Sequence, residues 1–322
     1  MIRAKYALFF HDKKAFFLFF GYIMRPIYLG CLKECAMMKL EQMIGFGLVG
    51  NFANHLEQAG EACDFANIEG DEACAPKGLF PFFVPNHSGH LGRFCFDDSA
   101  IILPADKSLS IQAEPEIALH CELLYHEVAG QKQVQKVLPK AFCAFNDTSV
   151  RNDKNATKLS QKKNFSAGSK GMGDRWIPID SFDCGGVCDD YTLASFIVQN
   201  GAVEAGAVEA YGEASRLTGY SYFYTKLIEW MARKLNTQQD IGVLENLAKM
   251  LQIAQYPSEA IFSIGATRYM PKYEHGYLKE GDRVIIITYN HHQYTQQDII
   301  DAIKDENLKD IKNASIVDQI VR

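Results

Sequence analysis

The chain lacks an apolar run long enough to cross a bilayer. Its most apolar stretch, Ala15 to Met24, is interrupted by Arg25 and Pro26 well short of the roughly 20 residues a spanning helix needs. It also lacks a surplus of positive charge. Lys and Arg number 33 against 39 Asp and Glu, giving a net charge of −6 and a pI near 5.9. That balance argues against nucleic acid or an anionic membrane as the main partner. Small anions stay open, because a bound cation reverses the local field. The spacing of structural zinc sites is missing too. Cys31/Cys35 and Cys184/Cys188 are four apart, and neither pair has a second C-x-x-C or H-x-x-x-H to complete it. A dense disulfide framework belongs to short secreted chains, so the nine cysteines read as buried or incidental thiols in a reducing cytoplasm. Gly45-Phe46-Gly47-Leu48-Val49-Gly50 suggests a phosphate loop but lacks the Gly-Lys-Ser/Thr ending.

What is present suits a globular protein: 322 residues, 48% hydrophobic and 22% charged, ample for a core. Lys13 and Lys14 before the Phe-rich run resemble a signal-peptide start, and Leu29-Gly30-Cys31 resembles a lipoprotein cleavage site. The thiol-rich remainder favours a translation start at Met37, Met38 or Met43 instead. Residues 1–37 are therefore expected to be an upstream segment outside the fold, 38–290 the principal domain, and 291–322 a helical C-terminal extension.

Residues 80–84 and 100–104 read as strands flanking a polar loop with His87 and His90. In 114–125, Glu114, Glu116, Ala118, His120 and Glu122 fall on one side at period two. Pro115, Ile117, Leu119, Cys121, Leu123 and Tyr125 fall on the other. A second apolar strand, Ala141 to Phe145, runs into Asn146-Asp147. The polar stretch 151–175 reads as a long loop of the kind that forms lids. Residues 192–198 and 283–289 read as strands. The tandem Gly-Ala-Val-Glu-Ala at 201–210 reads as a duplication in a turn. Helical stripes appear at 222–235 and 240–254.

Glu114 and Glu116 project together from one strand. Adjacent carboxylates are costly unless a cation lies between them or one takes a proton. An all-carboxylate set suits a hard ion such as Mg²⁺, Mn²⁺ or Ca²⁺. Pro115 cannot donate to a ladder, so it belongs at an edge, a bulge or a strand start. Taken alone, a Glu-x-Glu strand is more often a solvated face.

Five segments in order shift that balance. Gly47-Leu48-Val49-Gly50-Asn51-Phe52-Ala53-Asn54-His55 resembles the G-x-N-Y-x-x-H opening of the fumarylacetoacetate hydrolase superfamily. Glu114-Pro115-Glu116-Ile117-Ala118 resembles its E-x-E-L-A strand, and Asn146-Asp147-Thr148-Ser149-Val150-Arg151 its N-D-V-S-A-R. Lys163-Asn164-Phe165 stands where the family has K-S-F-D, and Leu278-Lys279-Glu280-Gly281-Asp282-Arg283-Val284 is similar to its L-K-P-G-D-x-V. The resemblance implies an α+β fold, a mixed β-rich roll or sandwich with flanking helices like the fumarylacetoacetase C-terminal domain, usually homodimeric. It implies Mg²⁺ or Mn²⁺ held by Glu114, Glu116 and Asp147. It also implies an enolate-forming reaction on a small 2-oxo or 1,3-dicarbonyl acid: carbon–carbon hydrolysis, with decarboxylation or tautomerisation as alternatives, or a non-catalytic metal-binding member.

On the same footing Lys163 and His55 are catalytic, one adding charge near the enolate oxygen, the other moving a proton. Arg151 either clamps a substrate carboxylate or neutralises Asp147 or Asp153, and His55 alternatively lies on a surface helix. His120 reads as a hydrogen-bonded neighbour rather than a fourth ligand. Two departures weaken the hydrolase reading: Gln58 replaces the Glu expected three residues after His55, and Lys154 replaces a substrate-side Gln.

Overall fold

The structure is a computed structural model and describes residues 39–51, 75–201 and 206–322. His55, Gln58 and the expected upstream segment 1–37 lie outside those residues. Fourteen strands occur among them: β1 (Ile44–Val49), β2 (Gly78–Phe83), β3 (Ala100–Ile101), β4 (Ile111–Gln112), β5 (Pro115–Val128), β6 (Gln131–Asn146), β7 (Ser149–Val150), β8 (Gly171–Met172), β9 (Ile177–Pro178), β10 (Tyr191–Val198), β11 (Val208–Arg216), β12 (Glu259–Ala266), β13 (Arg283–Asn290) and β14 (Ala314–Val321). Four helices join them: α1 (Leu159–Lys163), α2 (Tyr224–Thr237), α3 (Leu247–Ile253) and α4 (Gln296–Lys304).

The strands form two main sheets. One runs β2-β1-β12-β5-β6-β8, with β9 also on β6; the other runs β11-β10-β13-β14-β3; β4 and β7 make a short separate pair. Most pairings are antiparallel, but β1 pairs with β12 and β3 with β14 in parallel. A continuous core joins Phe46, Leu119 and Phe142 of the first sheet to Leu193, Ile286 and Val317 of the second, with Leu227, Trp230 and Met231 of α2 packed on it. A smaller cluster seats Ile299 and Ile303 of α4 on Phe196, Ile285 and Ile287, the other side of the second sheet.

The glycines at 45 and 47 serve packing, because their segment is strand β1 rather than a phosphate loop. A Cβ at Gly47 would come within 2.1 Å of the Phe80 ring, and one at Gly45 equally close to Phe82. Gly47→Ala is therefore expected to destabilise the protein by about 1–3 kcal/mol, the usual cost of overpacking a closed core. A urea midpoint equal to that of the parent would contradict this packing.

Three expectations need correction. Residues 291–322 are not a helical extension: α4 is followed by β14, which lies between β13 and β3, and the compact unit runs from Glu41 to Arg322 with no break at 290. Residues 240–254 are helical only over Leu247–Ile253, where the Asn246 side chain caps the helix by accepting from Lys249 N at 2.9 Å. The stretch 151–175 contains α1 and β8, and Leu159, Ser160, Lys163, Asn164, Ser169 and Lys170 in it are buried. Lys163, Asn164 and Lys170 direct their side chains to groups inside the fold, so this part of the stretch is packed core rather than a free loop.

Candidate metal centre

The β5–β6 hairpin creates the site. Pro115 opens β5, as its missing N–H requires, and pairs with Asn146, the last residue of β6; Glu116 pairs with Phe145. Asp147 then turns back so that its N–H donates to Glu114 O at 3.0 Å. Beside Glu116, β12 slips register between Ser263 and Ala266. This bulge presents Gly265 N 3.3 Å from Glu116 Oε2. Bulges commonly re-aim groups next to functional sites. Gly265 has φ 139° and a Cβ there would press on Tyr220 and Asn51. Asn51 fastens the region: its side chain donates to Tyr222 O and Ile264 O and accepts from Tyr222 N.

Glu114, Glu116 and Asp147 are all buried, and one carboxylate oxygen from each lies within 4.8 Å of the other two. In a Mg²⁺ octahedron neighbouring oxygens stand about 3.0 Å apart and opposite ones about 4.2 Å, and Ca²⁺ spreads them further, so three oxygens this near one another can converge on one hard cation by a modest inward shift. Burial, reinforced by Asp147 and Glu114, holds the Glu116 carboxyl well above the usual carboxylate range despite Lys163. These are the features of a site that gains from a cation.

Three side-chain cations face the three carboxylates. Lys163 Nζ, at the end of α1, lies 2.7 Å from both Glu114 Oε1 and Asp147 Oδ2, and 5.2 Å from the centre of the Phe80 ring. Arg151 Nη2 lies 2.9 Å from Glu114 Oε1. Its Nε donates to Gln112 Oε1 and its Nη2 to Tyr269 Oη, which in turn donates to Ala113 O. Arg151 thus braces Glu114, and neither Asp147 nor Asp153 is its partner among these contacts. Lys170 Nζ lies 3.0 Å from Asp147 Oδ1.

The structure brings Glu114, Glu116, Asp147, Lys163 and Arg151 into one buried cluster. His120 is directed elsewhere: its Nε2 lies 3.1 Å from Glu259 Oε1 and its ring packs against Trp176. Lys170, Gln112 and Tyr269 were not anticipated; nothing local distinguishes Lys170 from the solvated lysines around it. Asn146 adds a further link, accepting from Glu114 N and donating to Gln319 Oε1 on β14. His90 Nε2 lies 3.0 Å from Ser160 Oγ on α1. It borders a cleft of about 260 Å³ whose walls include Val150, Asn164 and Phe165 but none of the three carboxylates.

Solved structures place this architecture. A protein described as a fumarylacetoacetate isomerase/hydrolase from Oleispira antarctica superposes with a TM-score of 0.51 at 12% identity, covering 87% of this chain and 93% of its own. Less close are a fumarylacetoacetate hydrolase family protein from Yersinia pestis CO92 (TM-score 0.47, 14% identity, 87% and 93% covered) and a 5-carboxymethyl-2-hydroxymuconate delta-isomerase from Mycobacterium smegmatis (0.46, 15%, 86% and 78%). The likeness to the first of these is one of fold: a mixed, β-rich architecture with few helices shared along most of both chains. By sequence, residues 61–321 match the model of the family of unknown function DUF5718, and the chain belongs to that family. No curated protein matches it. No helix among the described residues is long and apolar enough to cross a membrane.

Proposed function

We propose that the chain is a Mg²⁺- or Mn²⁺-dependent cytoplasmic enzyme, working as a homodimer, that hydrolyses a carbon–carbon bond in a small 2-oxo or 1,3-dicarbonyl acid. The observation that carries the reading is the buried set Glu114, Glu116 and Asp147, converging within 4.8 Å. When bound there, a divalent ion supplies Lewis acidity to an oxygen that gains charge as an enolate develops. The chain's own residues do the rest. Lys163 Nζ holds positive charge and a transferable proton at the corner shared by Glu114 and Asp147. Arg151 fixes the direction in which Glu114 points, and it contacts a substrate carboxylate only if it releases part of that bracing. His55 moves a proton between substrate or water and solvent.

The test is turnover of oxaloacetate and several acylpyruvates with Mn²⁺ and with EDTA. Consumption that stops with EDTA is expected, and the products separate cleavage from decarboxylation or tautomerisation. If neither Mn²⁺ nor Mg²⁺ binds in titration calorimetry, the proposal fails at its first step.

A further inference from the structure

Lys170 is a buried cation for which the proposed chemistry has no use. Its backbone is pinned by pairing with Phe96: Lys170 N donates to Cys95 O at 2.9 Å, and Asp97 N donates to Lys170 O at 2.9 Å. Its side chain is fully buried, and Nζ donates to Thr148 O at 2.9 Å, Ser169 O at 3.1 Å and Lys163 O. Three carbonyl acceptors around one nitrogen match the three protons of an ammonium. With those bonds in place the charge cannot swing away. It lies 3.0 Å from Asp147 Oδ1, close enough for an ion pair though not aligned as a hydrogen bond. The other oxygen, Oδ2, faces Lys163 at 2.7 Å, on the Glu114 side. Both oxygens of Asp147 meet an ammonium, but the two are anchored differently: Lys170 at Oδ1 is held by three backbone carbonyls, and Lys163 at Oδ2 is held by the carboxylates of Glu114 and Asp147 themselves.

Resting on the reading of the triad as a divalent-cation site, we propose that Lys170 is a positioning residue that selects the ion by limiting Asp147 to one ligand oxygen. Calcium takes six to eight oxygens at about 2.3–2.6 Å and often holds a carboxylate through both; magnesium takes six at about 2.0–2.1 Å in a strict octahedron, one from each carboxylate. Two-oxygen ligation by Asp147 would bring a dication onto the oxygen beside Lys170, whose ammonium is tied to three carbonyls and does not retreat, and repulsion there is weakly screened. Lys163, bonded to the carboxylates that an ion engages, shifts as the ion enters. The larger ion loses a ligand it can use. The smaller one keeps the single oxygen it needs from Asp147, so the fixed charge costs it less.

The experiment is titration calorimetry of the full chain with MgCl₂ and CaCl₂, comparing wild type with Lys170→Gln and Lys170→Arg. Wild type is expected to bind Mg²⁺ at least as tightly as Ca²⁺. Lys170→Gln keeps a donor for the carbonyls but removes the charge, and is expected to shift the affinity ratio about tenfold towards Ca²⁺. Lys170→Arg, which retains the charge, is expected to hold the ratio near that of wild type. A merely structural role would weaken both ions by the same factor, and an unchanged ratio in Lys170→Gln overturns the inference alone. A clear preference of wild type for Ca²⁺ overturns it even if the glutamine variant does not fold. Failure of wild type to bind either ion overturns the triad reading, and the inference with it.

Discussion

Asp147→Ala is expected to cost about 3–5 kcal/mol of stability, because it strands buried cations whose counter-charge it removes. Lys163 and Lys170 both meet this carboxylate at 3.0 Å or less, and all three side chains are buried. The alanine variant alone therefore cannot separate a lost ligand from a lost fold. Asp147→Asn keeps the shape and one acceptor oxygen, so it should fold with a smaller penalty. It should still weaken metal binding by more than the 10–100-fold typical of residues behind a metal ligand. Urea unfolding with and without Mn²⁺ tests both effects. Wild type should gain about 2.7 kcal/mol at a free metal concentration 100 times Kd, and the asparagine variant little or none. If Asp147→Ala unfolds at the wild-type midpoint, the charge network described here does not carry the stability assigned to it.

Glu245→Gln is expected to act in the opposite direction, raising stability at pH 8 by up to about 3 kcal/mol. Glu245 is buried just ahead of α3, and burial pushes its carboxyl up from 4.5 to about 7; Ser160 and Lys158 offset only part of this. A group whose folded value is raised holds its proton more tightly when folded. Its contribution is intact below about pH 4.5 and is lost as the pH rises through 7. Glutamine has no proton to lose, so the gain should be largest at pH 8 and shrink towards zero near pH 4. Unfolding curves for both proteins across that range are the measurement. A pH-independent difference would place the effect in packing instead.

The parts of the site legible in the sequence were those with a local signature. Glu114 and Glu116 show at period two on a strand, and Asp147 follows an apolar strand directly. Lys163 was found through the resemblance of its segment. Lys170 had no such signal: it stands in a stretch rich in Lys, Ser and Gly, and its burial comes from pairing with Phe96 far away in sequence. Strand β14 was hidden for a related reason. Ser315 and Gln319 are buried, the first accepting from Ala144 N and the second bonding Asn146, Asp97 O and Ala100 O, so polar residues occupy inward positions and break the alternation. The stripe at 240–254 overran α3 because Leu244 is buried from a turn, where its carbonyl accepts from Lys158 Nζ. Periodicity reports which residues are buried, not which element buries them.

The two parallel pairings carry a kinetic consequence. Ile44 pairs with Ala260 and Ala100 with Ile320, separations of 216 and 220 residues, and each binds a strand from early in the chain into one of the main sheets. Closing loops of that length before any contact rewards them slows folding, and topologies dominated by such distant contacts lie at the slow end of the range. Until β12 and β14 arrive, their partners β1 and β3 present unpaired backbone edges that other chains can occupy. Recovery from denaturant should therefore fall as protein concentration rises, because assembly of the sheets competes with association between molecules.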